Sequence, residues 1–418
     1  MADGIGYLDK GLSEAEVRSV MEHGAPRKAF AGKRVLVLTP DTTRTCPLPM
    51  MIRNLAELMV PHVACLDFMV ALGTHQPLPE REIEELYGLT PETRARLLPG
   101  SRLLNHRWDL PDTLKVIGRL SDEDVRDISG GLFAQGVDVA INRHVYDYDL
   151  IVILGPVFPH EVAGFSGGDK YLFPGVAGGD FLHFTHWLGA VVTCWDTIGI
   201  RQTPVREALT RAARLVTVPR LCMSMVVRSK QELAGLYVGE TREAWTMATE
   251  LSAKLHIVTK DKPYHTVLGT ASHMYDELWV AGKVMYKLEP VVADGGRLII
   301  HGKHITRVSD TWGELIKKVG YHSRDYFLKR MDQFKDVPWA VLAHSTHVRG
   351  LGRFEDGVEM PRIEVILATS IPEEECRRIN LGYMDPDAID IEAYRGREDE
   401  GVLLVEDAGE VLHRLKPR

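Results

Sequence analysis

Short runs of apolar and β-branched residues recur along this chain, separated by longer stretches whose apolar positions fall at helical spacing. Strands are predicted at 34–40 (RVLVLTP), 64–73 (ACLDFMVALG), 149–155 (DLIVILG), 265–271 (HTVLGTA), 297–302 (RLIIHG) and 362–369 (RIEVILAT). Amphipathic helices are predicted at 47–59 (PLPMMIRNLAELM) and 275–288 (YDELWVAGKVMYKL). The alternation predicts an α/β fold of two domains with largely parallel sheets. Loops that follow parallel strands open at the carboxyl edge of the sheet, where ligands collect, so the active site is expected there, in a cleft between the domains.

A polar stretch near 258–266 places the boundary, giving an N-terminal domain at 1–262 and a C-terminal domain at 263–418 that closes over the substrate. Hairpins are predicted at 225–239 (MVVRSKQELAGLYVG) and 403–415 (LLVEDAGEVLHRL), and the stretch PWAVLAHSTHVRGLG reads as strand or loop. The length of 418 residues agrees with two domains, because a single core rarely grows that large. Hydrophobic residues at 45% and charged residues at 26% describe an ordinary globular protein.

A net charge of -8 argues against a nucleic-acid partner and leaves small-molecule chemistry as the better expectation. The N-terminus lacks a basic and then apolar leader, and no stretch has the roughly 18 apolar residues of a membrane helix, so a cytoplasmic protein with no membrane partner is expected. The five cysteines are scattered without a CxxC pair. They read as buried thiols, not as a disulfide framework or a structural zinc site.

The richest segment runs from Gly155 to His186. Its Ser166-Gly167-Gly168 can bring backbone N–H groups close to an anion, and Lys170 follows where a cationic neighbour or a dry pocket would make its amine nucleophilic. A surface turn with a solvated lysine is the plainer reading of that loop alone. His160 and His186 flank it, and imidazole both binds nickel, zinc or copper and moves protons near neutral pH. His183 reads as a helix-face residue. Two further loops follow strands: DTTR at 41–44 offers Asp41 to orient a hydroxyl or an imidazole and Arg44 as a fork for a carboxylate or phosphate, and GTH at 73–75 sets His75 at a strand mouth. His106 and Trp108 in NHRWD read as packing or lining residues. Lys283 lies on a predicted helix beside an apolar stripe.

DTTR at 41–44, GTH at 73–75, PHEVAGFSGGDK at 159–170, PGVAGGDFLHFTH at 174–186 and Lys283 together resemble the nickel-dependent lactate racemase family in order and spacing. The resemblance implies a racemase or epimerase of a 2-hydroxy acid. It implies a nickel-pincer nucleotide tethered to Lys170, with Asp41, Ser166, Gly167 and Gly168 near the cofactor and His186 as the nickel ligand. It further implies His75 and His160 as acid/base groups, Arg44 and Lys283 as carboxylate-binding cations, and cofactor-maturation enzymes as partners. The family's lactate enzymes carry a glutamine three residues before the second-domain lysine, and Val280 stands there in this chain. His344, His347 and Arg349 also depart from the lactate pattern, and they read either as contacts to a larger or polyhydroxylated acid or as packing. A zinc-dependent hydrolase built on His160, His186 and a carboxylate is the rival enzyme reading. A non-catalytic nucleotide or nickel carrier would need the glycine loop and His186 but not His75, Arg44 or Lys283.

Overall fold

The computed structural model describes residues 2–132 and 134–416. The chain divides into two compact units: residues 1–158, 165–182 and 204–255 form the first, and residues 159–164, 183–203 and 256–418 the second. Where the sequence suggested one boundary, the chain enters the second unit three times. Both units are α/β structures with mostly parallel sheets.

The first unit is built on a seven-stranded sheet in the order Asp3–Gly6, Glu232–Gly239, Arg220–Ser229, Leu150–Pro156, Arg34–Thr39, Cys65–Val70, Leu103–Asn105. Pairings from Arg220–Ser229 to Leu103–Asn105 are parallel, and the first two are antiparallel. The hairpin expected at 225–239 is the antiparallel pair Arg220–Ser229 with Glu232–Gly239. Val35, Leu36, Val37 and Leu38 are fully buried, which explains why their strand reads as a continuous apolar run and not as an alternation. Helix Leu48–Met59 follows Pro47 and buries Leu48, Met51, Ile52, Leu55, Ala56 and Met59, the stripe that its three- and four-residue spacing predicts. Truncating such a leucine to alanine typically costs about 2–5 kcal/mol.

The second unit is built on an all-parallel five-stranded sheet in the order Gly382–Tyr383, Glu364–Thr369, Val292–Gly302, Tyr264–Ala271, Val402–Ala408. The segment 403–415 is not a hairpin. Val402–Ala408 joins this sheet, whereas Leu412–Leu415 pairs in parallel with Ile257–Lys260. The helical stretch at 275–288 divides into Leu278–Ala281 and Lys283–Leu288 at Gly282. A Cβ at Gly282 would stand 2.8 Å from the Val348 side chain, so glycine is needed for the close approach of helix Trp339–Arg349. That helix corrects the expectation of strand or loop at this place. Its residues Ala340 to Val348 are all buried, so no polar face marks its period. Among the described residues no helix is long and apolar enough to cross a membrane.

Candidate active-site residues

Strands Leu150–Pro156, Arg34–Thr39 and Cys65–Val70 are parallel neighbours, so the loops that follow them leave one edge of the sheet. Asp41 lies in the second of these loops and His75 in the third. Their side chains meet: His75 Nδ1 is 2.5 Å from Asp41 Oδ2. Thr43 donates to Asp41 Oδ1 from its backbone N–H at 3.0 Å and from its hydroxyl at 2.6 Å, and Arg44 donates to Thr43 Oγ1 at 2.8 Å. Burial alone would raise the Asp41 carboxyl, but the His75 imidazole, Arg44 and the Thr43 hydroxyl hold it well below the usual carboxylate range. The Asp41 side chain is 8% exposed and that of His75 is 39% exposed, so a fixed, charged carboxylate backs an accessible imidazole. Trp108 Nε1–H donates to the His75 carbonyl at 2.8 Å, which gives Trp108 a role that the sequence reading left as packing.

The glycine loop follows strand Leu150–Pro156. Gly167 and Gly168 take φ of +79° and +59°, a region that residues with a Cβ rarely enter, and a Cβ on Gly168 would reach the Trp245 ring at 3.0 Å. Most hydrogen-bonding groups of the loop are engaged with the fold. Ser166 Oγ accepts from Phe158 N–H at 2.9 Å and donates to the Pro156 carbonyl at 2.8 Å. Trp245 Nε1–H donates to the Ser166 carbonyl at 2.8 Å. The buried Arg206 guanidinium lies 4.2 Å from the Trp245 ring centroid and donates to the carbonyls of Phe165 and Gly167. Burial lowers Arg206 to about 10, which still leaves it charged. Lys170 sits half-buried on the 3-10 turn Gly168–Tyr171 that this latch holds.

In the second unit His160 is buried on the short strand Pro159–His160, with its Nδ1 3.1 Å from Val162 N–H and 3.5 Å from Glu161 Oε2. Burial would raise the Glu161 carboxyl, but His160, a backbone hydrogen bond, Lys287 and His347 hold it well below the usual range. Lys287, only 2% exposed, donates to the Pro159 carbonyl and, at 3.2 Å, to the Glu410 carbonyl, fixing the chain just before His160. His186 is half-buried on helix Gly179–Val192. Lys283 begins helix Lys283–Leu288 with its ammonium 4.7 Å from the Tyr275 ring centroid.

His344, His347 and Arg349 all lie on the buried helix Trp339–Arg349 and bond to the unit's own interior. His344 Nε2 meets the Trp279 carbonyl at 3.0 Å, His347 Nδ1 meets Cys194 Sγ at 2.8 Å, and Arg349 donates to the Asn380 carbonyl at 2.8 Å. Burial pushes His344 down to about 3 and His347 to about 4, so both are neutral at ordinary pH. His106 is likewise a packing residue, lowered to about 4 by burial and bonded to the Ala177 carbonyl. Of the cysteines, Cys46, Cys194, Cys222 and Cys376 are buried thiols and Cys65 is half-buried.

Sequence reasoning missed Arg206, Trp245, Glu161 and Lys287. Glu161 stands inside the motif it reached, but Arg206 and Trp245 stand 36 or more residues beyond Lys170 in ordinary helical sequence, where nothing marks them.

Residues 13–194 match the lactate racemase N-terminal domain. The lactate racemases of Thermoanaerobacterium thermosaccharolyticum and Lactiplantibacillus plantarum are each 22% identical, over 274 and 273 residues. Those alignments cover 64% of this chain and 59% of each relative. A crystal structure of a Thermotoga maritima protein is similar over 98% of this chain and 100% of its own, with TM-score 0.88 and 31% identity. The lactate racemase apoprotein of T. thermosaccharolyticum shares the fold at TM-score 0.74 and 17% identity, over 99% of this chain and 100% of its own. The lactate racemase N-terminal domain is thus matched over residues 13–194, and the chain shares its fold over nearly its full length with the T. thermosaccharolyticum lactate racemase apoprotein.

Proposed function

We propose that the chain is a racemase or epimerase of a 2-hydroxy acid other than lactate, working with a nickel-pincer nucleotide tethered to Lys170. The Asp41–His75 pair carries this reading: a charged, buried carboxylate that orients an accessible imidazole is the arrangement that takes a proton from a hydroxyl. The residues fit the cofactor. Lys170 offers an amine on a loop that Arg206 and Trp245 hold, and His186 offers one imidazole. Among the described residues no three His, Cys, Asp or Glu side chains gather to hold a metal ion, so a metal here would arrive with donors of its own. When bound, the group supplies a hydride acceptor, which spares the reaction a carbanion beside a carboxylate. His75 and His160 serve the substrate hydroxyl, and Arg44 and Lys283 bind its carboxylate. Val280, in place of the family's glutamine, favours an acid other than lactate. The test is a panel of 2-hydroxy and sugar acids, assayed for inversion with protein made alongside the cofactor-maturation enzymes. No inversion of any acid by nickel-loaded protein would overturn the reading.

Two variants probe the assignments separately. Charged hydrogen bonds contribute roughly 1.5–3 kcal/mol, so Arg44→Ala is expected to lower kcat/KM by about ten- to a hundredfold. Unchanged kinetics would remove Arg44 from the carboxylate site. His186→Ala is expected to lose nickel while the organic adduct persists on Lys170. Stoichiometric nickel in that variant, by metal analysis, would remove His186 as a ligand.

A further inference from the structure

The loop at 71–79 carries His75 from strand Cys65–Val70 to helix Glu80–Leu86. With its side chain 39% exposed, His75 gains little orientation from packing, so hydrogen bonds must supply it. The loop is tied along its length. Gly73 N–H donates to the Gly175 carbonyl and His75 N–H to the Leu72 carbonyl, each at 2.9 Å. The His75 carbonyl accepts from Trp108 Nε1–H at 2.8 Å. The Asn105 side chain accepts from Leu78 N–H at 3.0 Å and donates to the Leu78 carbonyl at 2.8 Å, which fixes the far end.

Asn105 and Trp108 bracket one short segment, NHRW, at the end of strand Leu103–Asn105. That strand runs parallel to Cys65–Val70, so its following loop leaves the same sheet edge as the His75 loop. The segment is itself anchored. Asn142 Nδ2 can only donate, so it gives its hydrogen to His106 Nδ1 at 3.2 Å, and His106 Nε2–H donates to the Ala177 carbonyl at 2.9 Å. Arg107 and Asp109, on either side of Trp108, pair through two hydrogen bonds at 2.8 and 2.6 Å. Gly175, which accepts from Gly73, donates its own N–H to the Lys170 carbonyl at 3.0 Å. The His75 loop is therefore fastened to the turn that carries Lys170, and the NHRW segment to Ala177 just beyond it.

We infer that Trp108 is a positioning residue for His75: by holding the His75 carbonyl while Leu72 holds its N–H, it fixes the backbone from which the imidazole reaches Asp41. The inference rests on the proposed racemase or epimerase reading for the use of His75, and on hydrogen bonds within the first unit alone for the geometry. The ionised Asp41 carboxylate can only accept, so at 2.5 Å it keeps the proton of the neutral ring on Nδ1 and the lone pair on Nε2. That tautomer holds only while the two side chains stay in register. An indole N–H is a donor and nothing else, and phenylalanine keeps a ring in its place without the donor.

The positioning can be read without activity. In full-length protein labelled with 15N-histidine, with the His75 signals assigned by their loss in His75→Gln, long-range proton–nitrogen spectra of the neutral ring should show wild-type His75 protonated on Nδ1. Folded Trp108→Phe should show a mixture of the two neutral tautomers. An unchanged Nδ1–H tautomer in that variant overturns the inference, as does a proton on Nε2 in the wild type. If Trp108→Phe does not fold, benzothienylalanine at position 108, which keeps the indole shape and replaces the N–H with sulfur, carries the same test with the same outcomes. In the enzyme loaded with its cofactor, Trp108→Phe should lower kcat by about ten- to a hundredfold with KM little changed, the usual cost of displacing a reacting group by about an ångström. A residue that serves stability alone would lower the melting temperature and leave both the tautomer and the kcat of the folded enzyme as they were, and that result refutes the assignment. Absence of inversion in the loaded wild-type protein would instead sink the racemase reading, and the tautomers of His75 would still decide whether Trp108 positions it.

Discussion

Lys170→Ala protein, made together with the cofactor-maturation enzymes, is expected to show the unmodified mass of the chain and no inversion above background. The amine is the only atom that the proposed tether can use at that position, and alanine removes it while leaving the backbone of the turn Gly168–Tyr171 intact. Folding should be little changed, since Arg206 and Trp245 hold the loop through the carbonyls of Phe165, Ser166 and Gly167. Intact-mass spectrometry of wild type and variant, side by side, decides the matter: an adduct of equal mass in both would place the attachment elsewhere. Full turnover in the variant would end the tethered-cofactor reading altogether.

A substrate deuterated at its α-carbon is expected to retain that deuterium through inversion in ordinary water. A hydrogen removed as a proton joins a nitrogen or oxygen and exchanges with solvent. One that moves with its electron pair to carbon does not exchange readily. Neither His75 nor His160 is required to hold the α-hydrogen in the proposed reaction, because both serve the oxygen. Mass analysis of the inverted product after a single round therefore separates the two chemistries almost completely. Extensive loss of the label would mean that an imidazole abstracts the α-hydrogen itself, and the assignment of His75 to the hydroxyl proton would fall with it.

The meeting of Asp41 and His75 was legible in the sequence for one physical reason: parallel strands place the loops after them on one sheet edge. Asp41 and His75 are 34 residues apart, yet Arg34–Thr39 and Cys65–Val70 are adjacent and parallel, so two loops that each looked weak alone converge. The glycine loop was legible as a special backbone. Its cause is clearer in the structure, where Gly167 and Gly168 supply positive φ and a surface against which Trp245 packs. Other features lay beyond pattern. Helix Trp339–Arg349 is buried on all sides, and a helix without a polar face has no period to read. The segment 403–415 has the alternation and the central glycine of a hairpin, but its two strands pair with different partners, which local sequence does not encode. Arg206 was invisible because a buried arginine and a surface arginine on an amphipathic helix look alike until the carbonyls they meet are known.

The interleaved path of the chain bears on how the protein can be dissected. Cys194 and Ile198, which lie early in the sequence, share one apolar cluster with Tyr286, Ile257 and Leu412, all drawn from the far end of it. Any piece that stops near residue 255 keeps the first two and loses the three that cover them, and the complementary piece has the opposite deficit. The gene therefore offers no single point at which to cut out either half intact, and the two halves are inherited, expressed and engineered as one.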